Sequence, residues 1–221
     1  MSELPVIDAS ATLWSHPESE RAGRPLLVLL HGYGADEHDL FGLVPYLPEG
    51  IVVAAVAAPL TPPWPMPGRS WYAIDGLDGR DPSAITAAAE ALLSWLDATA
   101  PAGSDAAPLA LLGFSQGAAV ALQALRLAPE RFGSVVALSG YAARGELPGD
   151  ETLRESRPPV FWGRGSHDDV IPAHHVDHTA QWLPDHATLS GRVYQGLTHS
   201  ISEEELGDIR VFLQKWLDAA D

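Results

Sequence analysis

A mainly parallel β-sheet with helices on both faces, an α/β architecture, is predicted by three features of this sequence. Short uninterrupted aliphatic runs recur along the chain, stretches of helical periodicity lie between them, and neither a linker nor an internal repeat divides the 221 residues. A strand whose residues are all apolar must be buried on both faces, which is the condition inside a parallel sheet covered by helices. Helices between such strands supply the crossovers. A single domain spanning 1–221 is expected, and a chain of this length has little room for a separate cap domain.

The elements follow in order. "ASATLWS" (9–15) alternates as a half-exposed strand does, and "PESERAGR" reads as the turn after it. Four continuous runs read as strands buried on both faces: "PLLVLL" (25–30), "IVVAAVA" (51–57), "LALLGF" (109–114) and "SVVALS" (134–139). "PPVFWG" (158–163) and "GRVYQG" (191–196) are shorter candidates. Residues 83–100 carry the cleanest helical pattern, with Ser83 as N-cap and Ile85, Ala88, Ala89, Leu92 and Leu96 on one stripe. Helices are also expected over 116–128 and 173–183. The last helix opens at "SEEE", where Ser202 and Glu205 have capping-box spacing, and continues with an apolar stripe of Leu206, Ile209, Leu213, Trp216 and Leu217. The Pro-rich, aromatic segment 58–82 should be a long ordered loop, and long loops inside compact domains are usually functional.

Composition removes several classes of function. The net charge of −16 argues against a nucleic-acid or anionic-membrane partner, since both require a basic surface. With no cysteine, disulfides, thiolate catalysis and cysteine-held metals are excluded. His174 and His178 stand at i, i+4 on one helix, but no third ligand has motif spacing, so no metal is expected. The N-terminus shows neither a basic n-region nor an apolar h-region, and the longest apolar runs are too short for stable insertion in a bilayer. A cytoplasmic protein is the expectation.

Ser115 lies in "GFSQG", where an aliphatic run gives way to a helical one. The sequence Gly-x-Ser-x-Gly between a buried strand and a helix marks a sharp turn that lifts a serine clear of its own backbone, and side chains at the flanking positions would collide there. A serine hydroxyl is a weak nucleophile at neutral pH and needs a base, which in turn needs an orienting acid. On a sheet of this kind the partners follow in the order Ser, Asp/Glu, His, each after a strand. "GSHDDVIP" supplies Asp168 and Asp169, and "GLTHSI" supplies His199. His167 comes too early for that order. The oxyanion needs two backbone donors: Gln116, next after the nucleophile, and a residue of "LLHGYGAD" (29–36), for which Tyr33 is chosen.

Taken together, "LLHGYGADEHDL", "RSWYAID", "LLGFSQGAAVAL", "VVALSGY", "GSHDDVIP" and "GLTHSI" resemble the phospholipase/carboxylesterase family of α/β-hydrolases, which includes acyl-protein thioesterases and small bacterial carboxylesterases. The resemblance covers nearly the whole chain and implies an α/β-hydrolase fold. It also implies that the acid is Asp168, which stands four residues before Pro172, and that Asp169 occupies a position where the family often has proline. Ala118 stands where a further glycine is common. "SWYAID" stands where the thioesterases tend to read Ser-Trp-Phe-Asp, which leans the reading toward a general carboxylesterase.

The expected activity is hydrolysis of short- to medium-chain carboxylic esters by Ser115, His199 and Asp168 through an acyl-enzyme, with no cofactor. Trp64, Met66 and Trp71 are candidates for the lining of an apolar acyl channel. The substrate would be a small-molecule ester, and a homodimer is compatible with this reading. Acyl-protein thioesterase or lysophospholipase activity in the same site is the alternative, as is a non-catalytic binding protein that keeps the fold.

Overall fold

The computed structural model describes residues 4–74, 81–99 and 107–220. Residues 75–80 of the expected 58–82 loop and residue 100 of the expected 83–100 helix lie outside these ranges. Seven strands form one sheet: β1 (Leu13–Trp14), β2 (Leu26–Leu30), β3 (Val52–Val56), β4 (Leu109–Phe114), β5 (Ser134–Leu138), β6 (Pro159–Gly165) and β7 (Thr188–Tyr194). Their spatial order is β1-β3-β2-β4-β5-β6-β7, with β1 antiparallel to β3 and every other pair parallel. The helices are α1 (Glu37–Phe41), α2 (Pro82–Thr99), α3 (Gln116–Leu127), α4 (Gly149–Ser156), α5 (Ala173–His186) and α6 (Glu203–Ala220). None of the described helices is long and apolar enough to cross a membrane.

Strand alternation divides the core into two layers, which explains why the runs are apolar at every position. Val28, Leu30, Ala54, Val56, Leu111 and Val135 pack on one side against α2 and α3. Leu27, Leu29, Val53, Ala55, Leu112 and Val136 pack on the other against Ile209, Leu213 and Trp216 of α6. The expected stripes are therefore core-facing: Ile85, Ala88, Ala89, Leu92 and Leu96 of α2 are all buried.

Several boundaries differ from the expectation. The N-cap of α2 is Asp81, whose Oδ1 accepts from the Ser83 amide at 2.9 Å, so Ser83 lies inside the helix. An aspartate two residues further out takes the orphan amides of the first turn instead. The first strand shrinks to Leu13–Trp14, because 9–11 form a 3₁₀ turn capped by Asp8. The last strand starts earlier, at Thr188, and α5 runs on through Pro184 to His186. The Ser202–Glu205 capping box is half formed: Ser202 Oγ accepts from the Glu205 amide at 3.1 Å, but the Glu205 carboxylate does not return the bond. It is buried instead against Gly163 of β6.

The sheet order reverses direction at β2, since β3 is added on one side and β4 on the other. Ligand sites of open α/β sheets form beyond the strand C-termini at such a point. The loops after β2 and β4 meet there.

Candidate active site

Ser115 joins β4 to α3 with φ 55° and ψ −113°, a conformation that costs free energy in a non-glycine residue. The surroundings impose it. The Ser115 amide donates to the Leu138 carbonyl at 2.8 Å, holding the turn to the end of β5. A Cβ on Gly117 would overlap the Leu30 carbonyl oxygen, and one on Gly113 would overlap the Gly117 backbone. Both glycines are thus dictated by close backbone approach, and the serine has no freedom to relax.

The acid and base reach the serine from two loops that are tied to each other. After β6 the His167 amide donates to Leu197 O at 2.9 Å, and the Gly196 amide donates to Ser166 Oγ at 2.9 Å. A side chain at Gly165 would strike Leu197 O. Asp168 and His199 are carried on this joined pair of loops. His199 Nδ1 lies 2.8 Å from Asp168 Oδ2, and His199 Nε2 lies 2.9 Å from Ser115 Oγ. One tautomer satisfies both contacts: Nδ1–H donates to the carboxylate and Nε2 accepts from the hydroxyl. The other Asp168 oxygen accepts from the amides of Val170 at 3.0 Å and Ile171 at 3.3 Å, so the carboxylate is fixed before it meets the imidazole. Asp169 points to solvent. The Phe114 ring packs on the His199 ring with centroids 4.9 Å apart.

The glycine loop after β2 lies beside the serine, because a Cβ on Gly32 would meet the Phe114 ring at 3.1 Å and Ser115 Cβ at 3.6 Å. Its Gly34 amide is already engaged by Arg69 O at 2.9 Å. Among the described residues, the amides of Tyr33 and Gln116 have no protein acceptor.

The three aromatic and thioether residues of the 58–74 loop separate. Trp64 is 92% exposed at the loop tip, and Met66 folds back until its sulfur lies against Gly34. Trp71 is 1% exposed and belongs to the core, with its indole N–H donating to His31 O at 2.9 Å. Its ring is consequently a structural part of the loop and not an open channel wall. A cleft of about 810 Å³ opens at the other end of the sheet beside Leu26, Val52 and Leu109 and is lined by none of these groups.

Residues without a motif signature complete the site. The Gln116 side chain is buried, accepting from the Trp71 amide at 2.8 Å and donating to Tyr72 O at 2.7 Å. His31 is buried with Nδ1 2.8 Å from Gly32 O and Nε2 accepting from the Ala58 amide at 3.1 Å. Burial holds its pKa below the ordinary imidazole value, so the ring is neutral and its tautomer fixed. Only the His-Gly and Ser-Gln pairings hint at these positions in the sequence.

The model of the phospholipase/carboxylesterase family matches residues 17–217. Acyl-protein thioesterase 1 of Saccharomyces cerevisiae is 34% identical over 111 residues, 48% of this chain and 49% of that protein. Acyl-protein thioesterase 1 of Kluyveromyces lactis is 30% identical over 142 residues, 62% of each. The chain thus aligns with about half to three fifths of the length of these curated relatives. Among solved structures, esterase PE8 superposes with a TM-score of 0.71 at 30% identity, over 92% of this chain and 96% of that one. Acyl-protein thioesterase 2 of Zea mays shares the fold with a TM-score of 0.75, at 21% identity and over 93% and 98% of the two chains. With the mainly parallel sheet, the serine turn and the matched 17–217 span in place, the chain belongs to the phospholipase/carboxylesterase family of α/β-hydrolases.

Proposed function

We propose that this chain is a serine carboxylesterase that hydrolyses short- to medium-chain carboxylic esters. The observation that carries the reading is the unbroken hydrogen-bonded series Ser115–His199–Asp168 at the C-terminal end of the sheet. Ser115 Oγ attacks the ester carbonyl carbon as its proton passes to His199 Nε2. Asp168 stabilises the imidazolium, and the amides of Tyr33 and Gln116 hold the negative carbonyl oxygen. The carbon–oxygen bond to the alcohol then breaks, and His199 returns its proton to the leaving oxygen. Water attacks the acyl-enzyme, gives its proton to His199, and the acid departs as Ser115 recovers its hydroxyl.

Size preference is argued from what covers the site. No large cap is present among the described residues; the 58–74 loop is the longest connection on this rim, with Met66 beside Gly34 and Trp64 exposed beyond it. We assign Met66 and Trp64 to the rim where an acyl chain would lie, which suits short and medium chains better than long ones. The acyl-protein thioesterase relatives favour a second reading, in which the same steps expel a thiolate from a thioester.

Mass spectrometry after incubation with a fluorophosphonate tests the nucleophile. A single adduct on the Ser115 peptide, absent from Ser115→Ala, is expected; no adduct on the wild type overturns the esterase reading. A parallel series of oxygen esters and thioesters from C2 to C16 separates the two substrate classes.

A further inference from the structure

The two amides assigned to the oxyanion belong to different elements. Tyr33 is on the loop after β2, and Gln116 opens α3 after β4. The ladder between these strands ends at Leu30 and Gly113, so β-pairing does not fix the separation of the two donors. Something else must.

The segment Arg69–Tyr72 contacts both. Toward the β2 loop, the Trp71 indole N–H donates to His31 O at 2.9 Å, and Arg69 O accepts from the Gly34 amide at 2.9 Å. The Arg69 amide donates to Ala35 O at 2.8 Å. Tyr33 is therefore bracketed, with His31 before it and Gly34 and Ala35 after it held while its own amide stays unspent. Toward α3, the Trp71 amide donates to Gln116 Oε1 at 2.8 Å, and Gln116 Nε2 donates to Tyr72 O at 2.7 Å. The Tyr72 and Tyr141 hydroxyls, 2.7 Å apart, anchor the far end. Ser70, Trp71, Tyr72 and Gln116 are all buried, so water does not compete for these bonds.

We propose that Trp71, joined to the Gln116 side chain, is a positioning residue that sets the distance between the Tyr33 and Gln116 amides. The role rests on the esterase reading above, because it concerns the oxyanion of that reaction. Among the described residues, the hydrogen bonds and ring contact of Trp71 reach His31 and Gln116, not Ser115 or His199, so it acts through the two loops it joins. Donors aimed at the developing oxyanion are worth about 10²–10³ in rate each, and a misplacement of about 1 Å costs up to 10²-fold. The ground-state ester makes little use of them, so the effect falls on kcat and not on KM.

The test uses Trp71→Phe, which keeps a buried ring and removes the indole N–H, and Gln116→Met, which removes both side-chain bonds but keeps the backbone amide. Trp95→Phe, a substitution on the buried face of α2, is the control for loss of a buried indole. With p-nitrophenyl butyrate, each of the first two variants should lose roughly 10–100-fold in kcat with KM little changed. The double variant should lose scarcely more than either alone, because both break one bridge. A trifluoromethyl ketone, whose adduct carries an oxyanion, should bind more weakly by the same factor as kcat falls, while Trp95→Phe retains wild-type values. Wild-type kcat and ketone affinity in Trp71→Phe and Gln116→Met overturn the proposal, and so do fully additive losses or losses confined to KM. A wild type that neither turns over the ester nor binds the ketone overturns the esterase reading along with it. A variant too unstable to assay is replaced by the other, since each alone breaks the bridge.

Discussion

Glu205 gives a prediction whose size follows from its surroundings. It is 1% exposed at the first turn of α6, and neither carboxylate oxygen has a hydrogen-bond partner among the described residues. Burial pushes its pKa from the ordinary 4.5 up to about 7, opposed by the nearby Ser202 backbone amide and helped by the negative charge of Asp208. Asp208 in turn accepts from the Tyr194 hydroxyl at 2.9 Å and lies 3.4 Å from Arg192 Nε. In the unfolded chain Glu205 ionises near its ordinary value, whereas the native protein holds the proton until about pH 7. Between those pH values the native state binds more protons, so stability falls as pH rises. Displacement of a carboxyl from 4.5 to about 7 corresponds to roughly 3 kcal/mol, complete above the native pKa and absent below the unfolded one. Glu205→Gln cannot ionise. Urea unfolding of both proteins from pH 4 to 8.5 should therefore show the variant gaining on the wild type by roughly 3 kcal/mol across that window, then levelling off. His31 and His178, whose pKa values are both lowered chiefly by burial, contribute equally to both proteins and cancel in the difference. A difference that stays flat from pH 4 to 8.5 would refute the reasoning and mean that the carboxylate is solvated or paired.

Other consequences are equally open to measurement. Ser115→Ala and His199→Ala should each lower kcat by about 10⁴-fold or more in ester hydrolysis, and the double variant should be little worse, because the groups act as a unit. Asp168→Asn should cost about 10⁴-fold by favouring the wrong imidazole tautomer, whereas Asp169→Asn, on the solvent side, should retain near-wild-type turnover. Equal losses in the two would reassign the acid. The Arg126–Asp150 pair is buried, with Arg126 Nε and Nη2 each 2.7 Å from a carboxylate oxygen. Burial raises the Asp150 pKa, but the bonds from Arg126 and from the Leu147 amide, with the Arg126 charge, bring it below the ordinary value. Asp150→Ala strands a buried guanidinium and should destabilise by about 3–5 kcal/mol in urea unfolding; a loss under about 1 kcal/mol would show that Arg126 finds other partners.

Much of this protein was legible along the chain because the controlling physics is local. Strands buried on both faces have to be apolar at every position, so "LLVLL" and "VVAAV" declared themselves. The stripe of α2 repeats often enough to be read, whereas α1 and α4, at 5 and 8 residues, hold too few turns to show a period. Gly113, Ser115 and Gly117 were readable as a turn because backbone crowding fixes residue type position by position.

What only the tertiary structure decided depends on partners remote in sequence. Whether Ser115 and His199, 84 residues apart, come within hydrogen-bonding distance is set by how β4 and the loop after β7 end in space. Trp71 and Gln116 are 45 residues apart, and no pattern around either announces that one side chain will receive the other's amide. The same holds for Trp71 itself: an aromatic residue in a Pro-rich loop reads alike whether it faces a channel or the core. Sequence determined which segments must be buried and which turn must carry the serine, since those follow from each residue's own volume and polarity. The pairing of polar groups across the site was settled by packing, because a hydrogen bond belongs to two residues at once and its geometry exists only after the chain has folded.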